Sequence, residues 1–268
     1  PPPPPPPPPP FFFFTHQPPS PMLRSLVGSE MCIRDSMSTT DEAFQGHYLT
    51  NLSVHTVLFT IIESELVMCA RERTEGPFRF HWELPGANPR MQESLEAAAH
   101  RSLSEIVHGS SAILQQLKVF GEPDRDPQRR SIAVCYWGAI APEHLQPQPP
   151  VVSAIHALAE SERFAFDHRT IAITAIGHLK RALCNSSVVT DFCPTTFSIR
   201  ELHRVYEVVF GTEIAAGNFQ RKVRSSPGFI TKTNTPPASE KGRGRPAEIF
   251  TNSRRVEVSP PFHFPHDS

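Results

Sequence analysis

No apolar run in the sequence approaches the ~18 residues that a membrane span requires. Charge of one sign is also missing: the formal net charge is −1, which excludes a uniformly basic nucleic-acid binder. Cysteine is sparse, five in 268 residues. No two cysteines form a CxxC pair, and their spacings fit neither a zinc site nor a disulfide framework. Cys69 and Cys135 lie in apolar, strand-like runs and read as buried, reduced thiols, which points to the cytoplasm. The first residues are not expected to be a secretory leader, because they lack a basic start, a graded apolar core and a small-residue cleavage site.

Proline and phenylalanine, in contrast, are in excess, 30 and 19 residues. Ten consecutive prolines, Pro1 to Pro10, run directly into Phe11 to Phe14. Homopolymeric C and T tracts translate into such runs, although a polyproline II arm has the same composition. The string Leu26 to Ser36, LVGSEMCIRDS, resembles the translation of an adapter used in transposase-based sequencing libraries. Residues 1–36 are therefore expected to be non-native, with Met37 as the start and residues 37–45 as an N-terminal tail.

Beyond that segment, charge divides the chain. From Met37 to Val189 there are 13 Lys and Arg against 17 Asp and Glu, net −4; from Thr190 to Arg255 there are 11 against 6, net +5. This asymmetry implies an acidic domain joined to a basic, nucleic-acid-directed one. The acidic half alternates strand and helix patterns. Strands are expected at Ser53–Ile62, Leu66–Ala70, Phe78–Pro85, Leu117–Phe120 and Ile132–Ile140, the third because Phe80, Trp82 and Leu84 recur with period two. Helices are expected at Glu93–Val107, Ala154–Leu158 and His168–Leu183.

Within this half, Trp82-Glu-Leu-Pro-Gly86-Ala87 and then Glu93 to Glu105 resemble the Nudix box, G-x5-E-x7-R-E-U-x-E-E-x-G-U. Such a box holds divalent metals on a pyrophosphate with carboxylates from one helix face. Glu93 and Arg101 keep their spacing, but Ala87 stands at the opening glycine, Ser102 at the first metal-binding glutamate and Ile106 at the last. Glu105 alone remains of three, so no catalytic residue and no metal site are assigned; Glu105 is also readable as a solvated position or a partner of Arg101. Three further segments narrow the resemblance: Gln116 to Pro127 with its Arg125-Asp126-Pro127, Ser131 to Trp137, and Phe164-Ala-Phe-Asp167-His168. Together with the basic module they resemble the Nudix-related transcriptional regulators of NAD metabolism, over roughly residues 46–252.

The basic module reads as a winged helix independently. Ser198 and Glu201 form a capping box, Phe197 and Leu202 a hydrophobic staple, and Gly211 a C-terminal stop. A second helix, about Ala215 to Ser225, places Phe219 and Val223 on one side and Gln220, Arg221 and Arg224 on the other, with Lys222 flanking. Arg and Gln read base edges or hold phosphates, so this is the content of a recognition helix. Phe229–Thr233, carrying Lys232, and Glu248–Thr251 are expected as wing strands. Arg243-Gly-Arg245-Pro246 between them suits a minor groove, or a loop that makes no groove contact.

The expected architecture is α+β: a Nudix α/β/α sandwich over residues 46–189, a winged helix-turn-helix domain over 190–255 and a disordered tail over 256–268. The family resemblance implies ADP-ribose as effector, no required cofactor, double-stranded promoter DNA of NAD-biosynthesis genes as partner, and a homodimer. Effector candidates are Arg73, Arg101, Glu105, Arg125 and Trp82. Trp82 also reads as core by its spacing with Leu84, and Arg125 as part of a structured turn. DNA candidates are Gln220, Arg221, Lys222, Arg224, Lys232, Arg243 and Arg245. A Nudix hydrolase of ADP-ribose-like diphosphates is the competing reading.

Overall fold

A computed structural model describes residues 50–109, 112–154, 161–233, 248–251 and 254–262. Arg243, Arg245, the first 49 residues and the last six lie outside the described residues, as does most of the helix expected at 154–158. Every element described belongs to one compact unit within residues 49–268.

The first half is organised by β1 (Asn51–Ile62). This long, β-branched strand pairs in parallel with β7 (Ser131–Ala139) and antiparallel with β2 (Glu65–Cys69). Its residues Val57, Leu58 and Phe59 are fully buried, as expected of a strand covered on both faces. Two short pairs come after β2: β3 (Arg71–Glu72) with β4 (Trp82–Glu83), and β5 (Gly86–Ala87) with β1. With β6 (Gln115–Phe120) and β8 (Val151–Ser153), the main sheet runs β6-β7-β1-β2-β8, β5 lying on β1. Helix α1 (Leu95–Ser102) packs on one face through Ala98 and Ala99; α2 (His168–Asn185) packs on the other through Ile171, Ala175 and Leu179. This is the α/β/α arrangement anticipated.

Two elements are shorter than their sequence pattern suggested. Phe78 and Phe80 adopt left-handed φ of 63° and 67°, so the alternating Phe78–Pro85 segment is a tight turn that becomes strand only at Trp82. Helix α1 begins at Leu95, where the Ser94 hydroxyl accepts the Ala97 N–H, and ends at Ser102; Leu103 to Ile106 continue as turns.

The second half contains α3 (Ile199–Phe210), α4 (Ala216–Ser225), β9 (Thr231–Lys232) and β10 (Phe250–Thr251). The capping box is formed in full: Ser198 Oγ accepts the Glu201 N–H, and the Glu201 carboxylate accepts the Ser198 N–H at 2.6 Å. Gly211 ends α3 at φ 64°, a conformation that glycine adopts without steric cost. β9 and β10 pair antiparallel as the wing, and β10 is fixed from behind by reciprocal backbone bonds between Phe197 and Phe250.

The tail was expected to be disordered, but its described part is not. The Val258 N–H bonds the Asn185 carbonyl at 2.7 Å and the Phe262 N–H bonds the Cys184 carbonyl at 2.8 Å. Val258 and Phe262 are buried, Phe262 among Tyr206, Phe219 and Phe229. Burial of these two side chains offsets the chain entropy that a polar tail could not recover.

Candidate functional site

The Nudix-box helix borders a cleft of about 160 Å³ lined by Arg71, Pro85, Gly86, Ser102, Glu105, Ile106 and Pro150. Gly86 forms its floor: a Cβ there would lie 2.5 Å from the His55 ring, so only glycine lets β5 lie this close to β1. The Ser102 hydroxyl bonds the Ala99 carbonyl at 2.7 Å and lies 3.2 Å from the Thr56 hydroxyl, a neutral pair where the box pattern has a carboxylate. Glu105 is exposed on the rim. Among the described residues, no group of three His, Cys, Asp or Glu side chains is placed so that it could hold a metal ion.

Of the five effector candidates, only Glu105 lines this cleft. Arg101 is held by Glu93 in a bidentate pair, both bonds 2.7 Å, and donates to the Asn88 carbonyl at 3.0 Å. These bonds pull the Glu93 carboxyl down to about 2 and so keep it charged. Arg73 bonds Glu83 and the Pro77 carbonyl and lies 5.0 Å from the Phe166 ring centre. Trp82 is half-buried against Phe164, with the Arg163 guanidinium 4.4 Å from its ring centre. Arg125 is not offered to a ligand: it is buried, bonds Asp167 twice, at 2.8 and 2.9 Å, and bonds the Ser131 hydroxyl at 3.1 Å. The effector assignment of Arg125 is corrected accordingly. Each of its three nitrogens is bonded inside the fold, and Asp167 belongs to the Phe164–His168 segment that had narrowed the family resemblance.

Arg71, Pro85 and Pro150 were missed on the cleft wall. Arg71 shares a strand face with Arg73, and both converge on Glu83, Arg71 at 2.7 Å; that period-two spacing was the available signal. Pro150 had none, since only the pairing of β8 with β2 brings it near.

Helix α4 separates its faces cleanly. Phe219 and Val223 are buried, while Gln220, Arg221 and Arg224 are exposed. Arg221 bonds Asn218 at 2.9 Å along the same outer surface. Arg224 bonds Glu248 at 2.5 Å and lies 5.5 Å from the Phe250 ring centre, and Lys232 bonds the same carboxylate at 2.7 Å. Lys222 departs from its expected role. Its ammonium bonds the Pro260 carbonyl at 2.8 Å and sits 5.6 Å from the Phe262 ring centre, so it holds the tail.

Comparison with known proteins bears on this surface directly. Residues 189–251 match the family profile of the NrtR DNA-binding winged helix domain. Over those residues the chain is similar to the NrtR winged helix. It is 25% identical over 234 residues to the ADPR responsive transcriptional repressor NtrR of Acinetobacter baylyi, covering 82% of this chain and 91% of that protein. Shewanella oneidensis NrtR superposes with a TM-score of 0.67 at 27% identity, covering 78% of this chain and 100% of that one. The same protein complexed with a 27mer DNA gives 0.64 at 28% identity, over 75% and 93% of the two chains. A MutT/nudix family protein from Enterococcus faecalis shares the fold, with a TM-score of 0.61 at 20% identity over 81% and 99%. The NrtR organisation, a Nudix fold followed by a winged helix, is thus that of this chain. Among the described residues no helix is long and apolar enough to cross a membrane.

Proposed function

We propose that this NrtR-type chain is a transcriptional repressor that binds promoter DNA through α4 and the wing and is released by ADP-ribose taken up in the Nudix cleft. The observation that carries the DNA half is α4 itself: two buried anchors, Phe219 and Val223, seat the helix, and Gln220, Arg221 and Arg224 face outward beside the wing. Such a surface suits major-groove edges, with phosphate contacts at its margins. The effector half is supported by the ADPR-responsive relative and by the cleft's chemistry. Arg71 supplies a cation for a diphosphate, while the serine and isoleucine at two box positions leave the cleft better suited to hold a pyrophosphate than to hydrolyse it.

Repression of NAD-biosynthesis genes, action as a homodimer on paired half-sites and a cytoplasmic location complete the reading. Two recognition helices would meet half-sites about one helical turn, or a multiple, apart. ADP-ribose shifts DNA occupancy only through differential affinity for two arrangements of the chain, and a decisive shift takes about 5 kcal/mol of that preference.

The test is a mobility shift on the duplex upstream of the chain's own coding sequence, with and without ADP-ribose. A specific shift is expected, abolished by Arg221→Ala with Arg224→Ala and reversed by ADP-ribose. If the double variant keeps full affinity, the α4 assignment is wrong. Mg2+- or Mn2+-dependent release of AMP from ADP-ribose faster than ~1 s⁻¹ would make the chain an enzyme instead.

A further inference from the structure

Glu248 is an acid on a surface otherwise built to meet a polyanion. Its two carboxylate oxygens are divided between two cations, Oε2 to Arg224 of α4 at 2.5 Å and Oε1 to Lys232 of β9 at 2.7 Å. Glu248 is anchored through Phe250, two residues on. That residue is buried, pairs with Lys232 across the wing and exchanges backbone hydrogen bonds with Phe197. The hydrogen bonds from Lys232 and Arg224 hold the Glu248 carboxyl down at about 2, so it stays charged at any pH at which the protein works.

We propose, resting on the DNA-binding reading above, that Glu248 is a specificity-determining residue: it occupies Arg224 and Lys232 in the free protein and must be displaced by duplex. Binding at this point is an exchange of anions. Non-specific affinity comes from Lys and Arg neutralising backbone phosphates with release of counterions. A cation already matched to a fixed carboxylate gains little by trading it for a phosphate, because one oxyanion replaces another. Arg224 gains more when it reaches a guanine edge, where it makes two directed bonds that random sequence does not offer. Glu248 therefore subtracts from binding to any duplex and leaves the sequence-dependent part standing. Phe250, beneath the Arg224 guanidinium, remains as its platform in either position.

The test compares the full chain with Glu248→Gln, which keeps the shape and removes the charge. Affinity is measured by fluorescence anisotropy on the upstream duplex and on a scrambled duplex of equal length, over a range of salt. Glu248→Gln is expected to bind the scrambled duplex roughly tenfold more tightly and the upstream duplex less than threefold more tightly. The slope of log affinity against log salt on scrambled DNA should steepen by about one to two, the value for one or two additional phosphate contacts. The gain should vanish when Arg224→Ala and Lys232→Ala are added, while the thermal midpoint of Glu248→Gln stays at the wild-type value. Unchanged or weaker binding of the scrambled duplex, or a gain that survives loss of both cations, overturns the proposal. A wild-type chain that does not discriminate the two duplexes overturns the DNA-binding reading itself. Discrimination by the wild type together with an inert Glu248→Gln overturns only the role of Glu248.

Discussion

Arg125 shows how an arginine can look like a phosphate ligand and be something else. Its guanidinium neutralises Asp167 at the start of α2 and braces Ser131 at the start of β7, so it ties a loop to two elements of the core. It also sets the protonation of its neighbours. The His55 and His168 rings lie 4.6 Å apart, tilted by 60°, beneath the cleft floor. His168 Nδ1 accepts the Leu84 N–H at 3.1 Å, and His55 Nδ1 is sealed from solvent with no hydrogen-bond partner among the described residues. Burial first, and then the Arg125 charge, lowers His55 to about 4; burial first, then His55 and Arg125, lowers His168 well below its usual value. Both rings are therefore neutral in the fold, whereas the unfolded chain protonates them near ~6.5. Between about pH 4 and 6.5 the unfolded state binds more protons, so stability rises with pH through that window and is lost as pH falls through it. At pH 5 the loss from His55 alone is about 2 kcal/mol relative to pH ~7.5. Urea midpoints at those two pH values should show it, and His55→Leu should reduce the difference while leaving the share of His168, which burial keeps lowered. A wild-type profile that is flat between them would mean that the pair is protonated in the fold.

At the scale of elements, the tail is the least expected part. Residues 256–262 lie between α2 and α4: Glu257 bridges to Ser186, Phe262 inserts among Tyr206, Phe219 and Phe229, and Lys222 closes over Pro260 and Phe262. Helix α4 is thus seated by a strap as well as by α3. Phe262→Ala should cost about 3–5 kcal/mol, the usual range for emptying a buried phenylalanine site, and should weaken DNA binding by unseating α4. Thermal denaturation and the mobility shift check the two effects, and an unchanged midpoint would show that the strap carries no load. Separation along the chain decided which of these features were legible in the sequence. The capping box, the Gly211 stop and the Phe219/Val223 pair were legible because each is written within about four residues of chain. The tail was not, because the partners of Phe262 lie dozens of residues away and a Pro-Pro-Phe-His-Phe-Pro run carries no period. The Phe78–Pro85 alternation misled for the opposite reason. Period two appears in a turn as readily as in a strand when left-handed residues such as Phe78 and Phe80 alternate with others. The cleft was half legible: the box named Ser102, Glu105 and Gly86, while Arg71 and Pro150 arrive through sheet pairing.

At the scale of the whole molecule, the acidic and basic halves are not separate bodies on a string. One buried cluster runs from Val57 and Met68 of the sheet through Leu179 and Leu183 of α2 to Leu202, Tyr206, Val223 and Phe262. The Tyr206 hydroxyl donates to the Leu183 carbonyl at 2.8 Å, Arg204 of α3 bonds Ser64 in the β1–β2 turn, and Arg255 bonds Asp191 and, at 3.3 Å, the Ile113 carbonyl. A shared apolar core of this kind unfolds as one cooperative unit, because neither half can open without exposing the other's buried face. Both tryptophans, Trp82 and Trp137, lie in the first half, so their fluorescence reports that half alone, whereas far-ultraviolet helicity includes α3 and α4. The two signals should give superimposable urea transitions. ADP-ribose at about a hundred times its dissociation constant should stabilise the chain by about 2.7 kcal/mol, as any ligand bound only by the folded state does, and should move both transitions by the same amount. If fluorescence shifts with ADP-ribose while helicity melts at its original midpoint, the halves are energetically independent, and release of DNA by a ligand in the cleft would need a route other than the shared core.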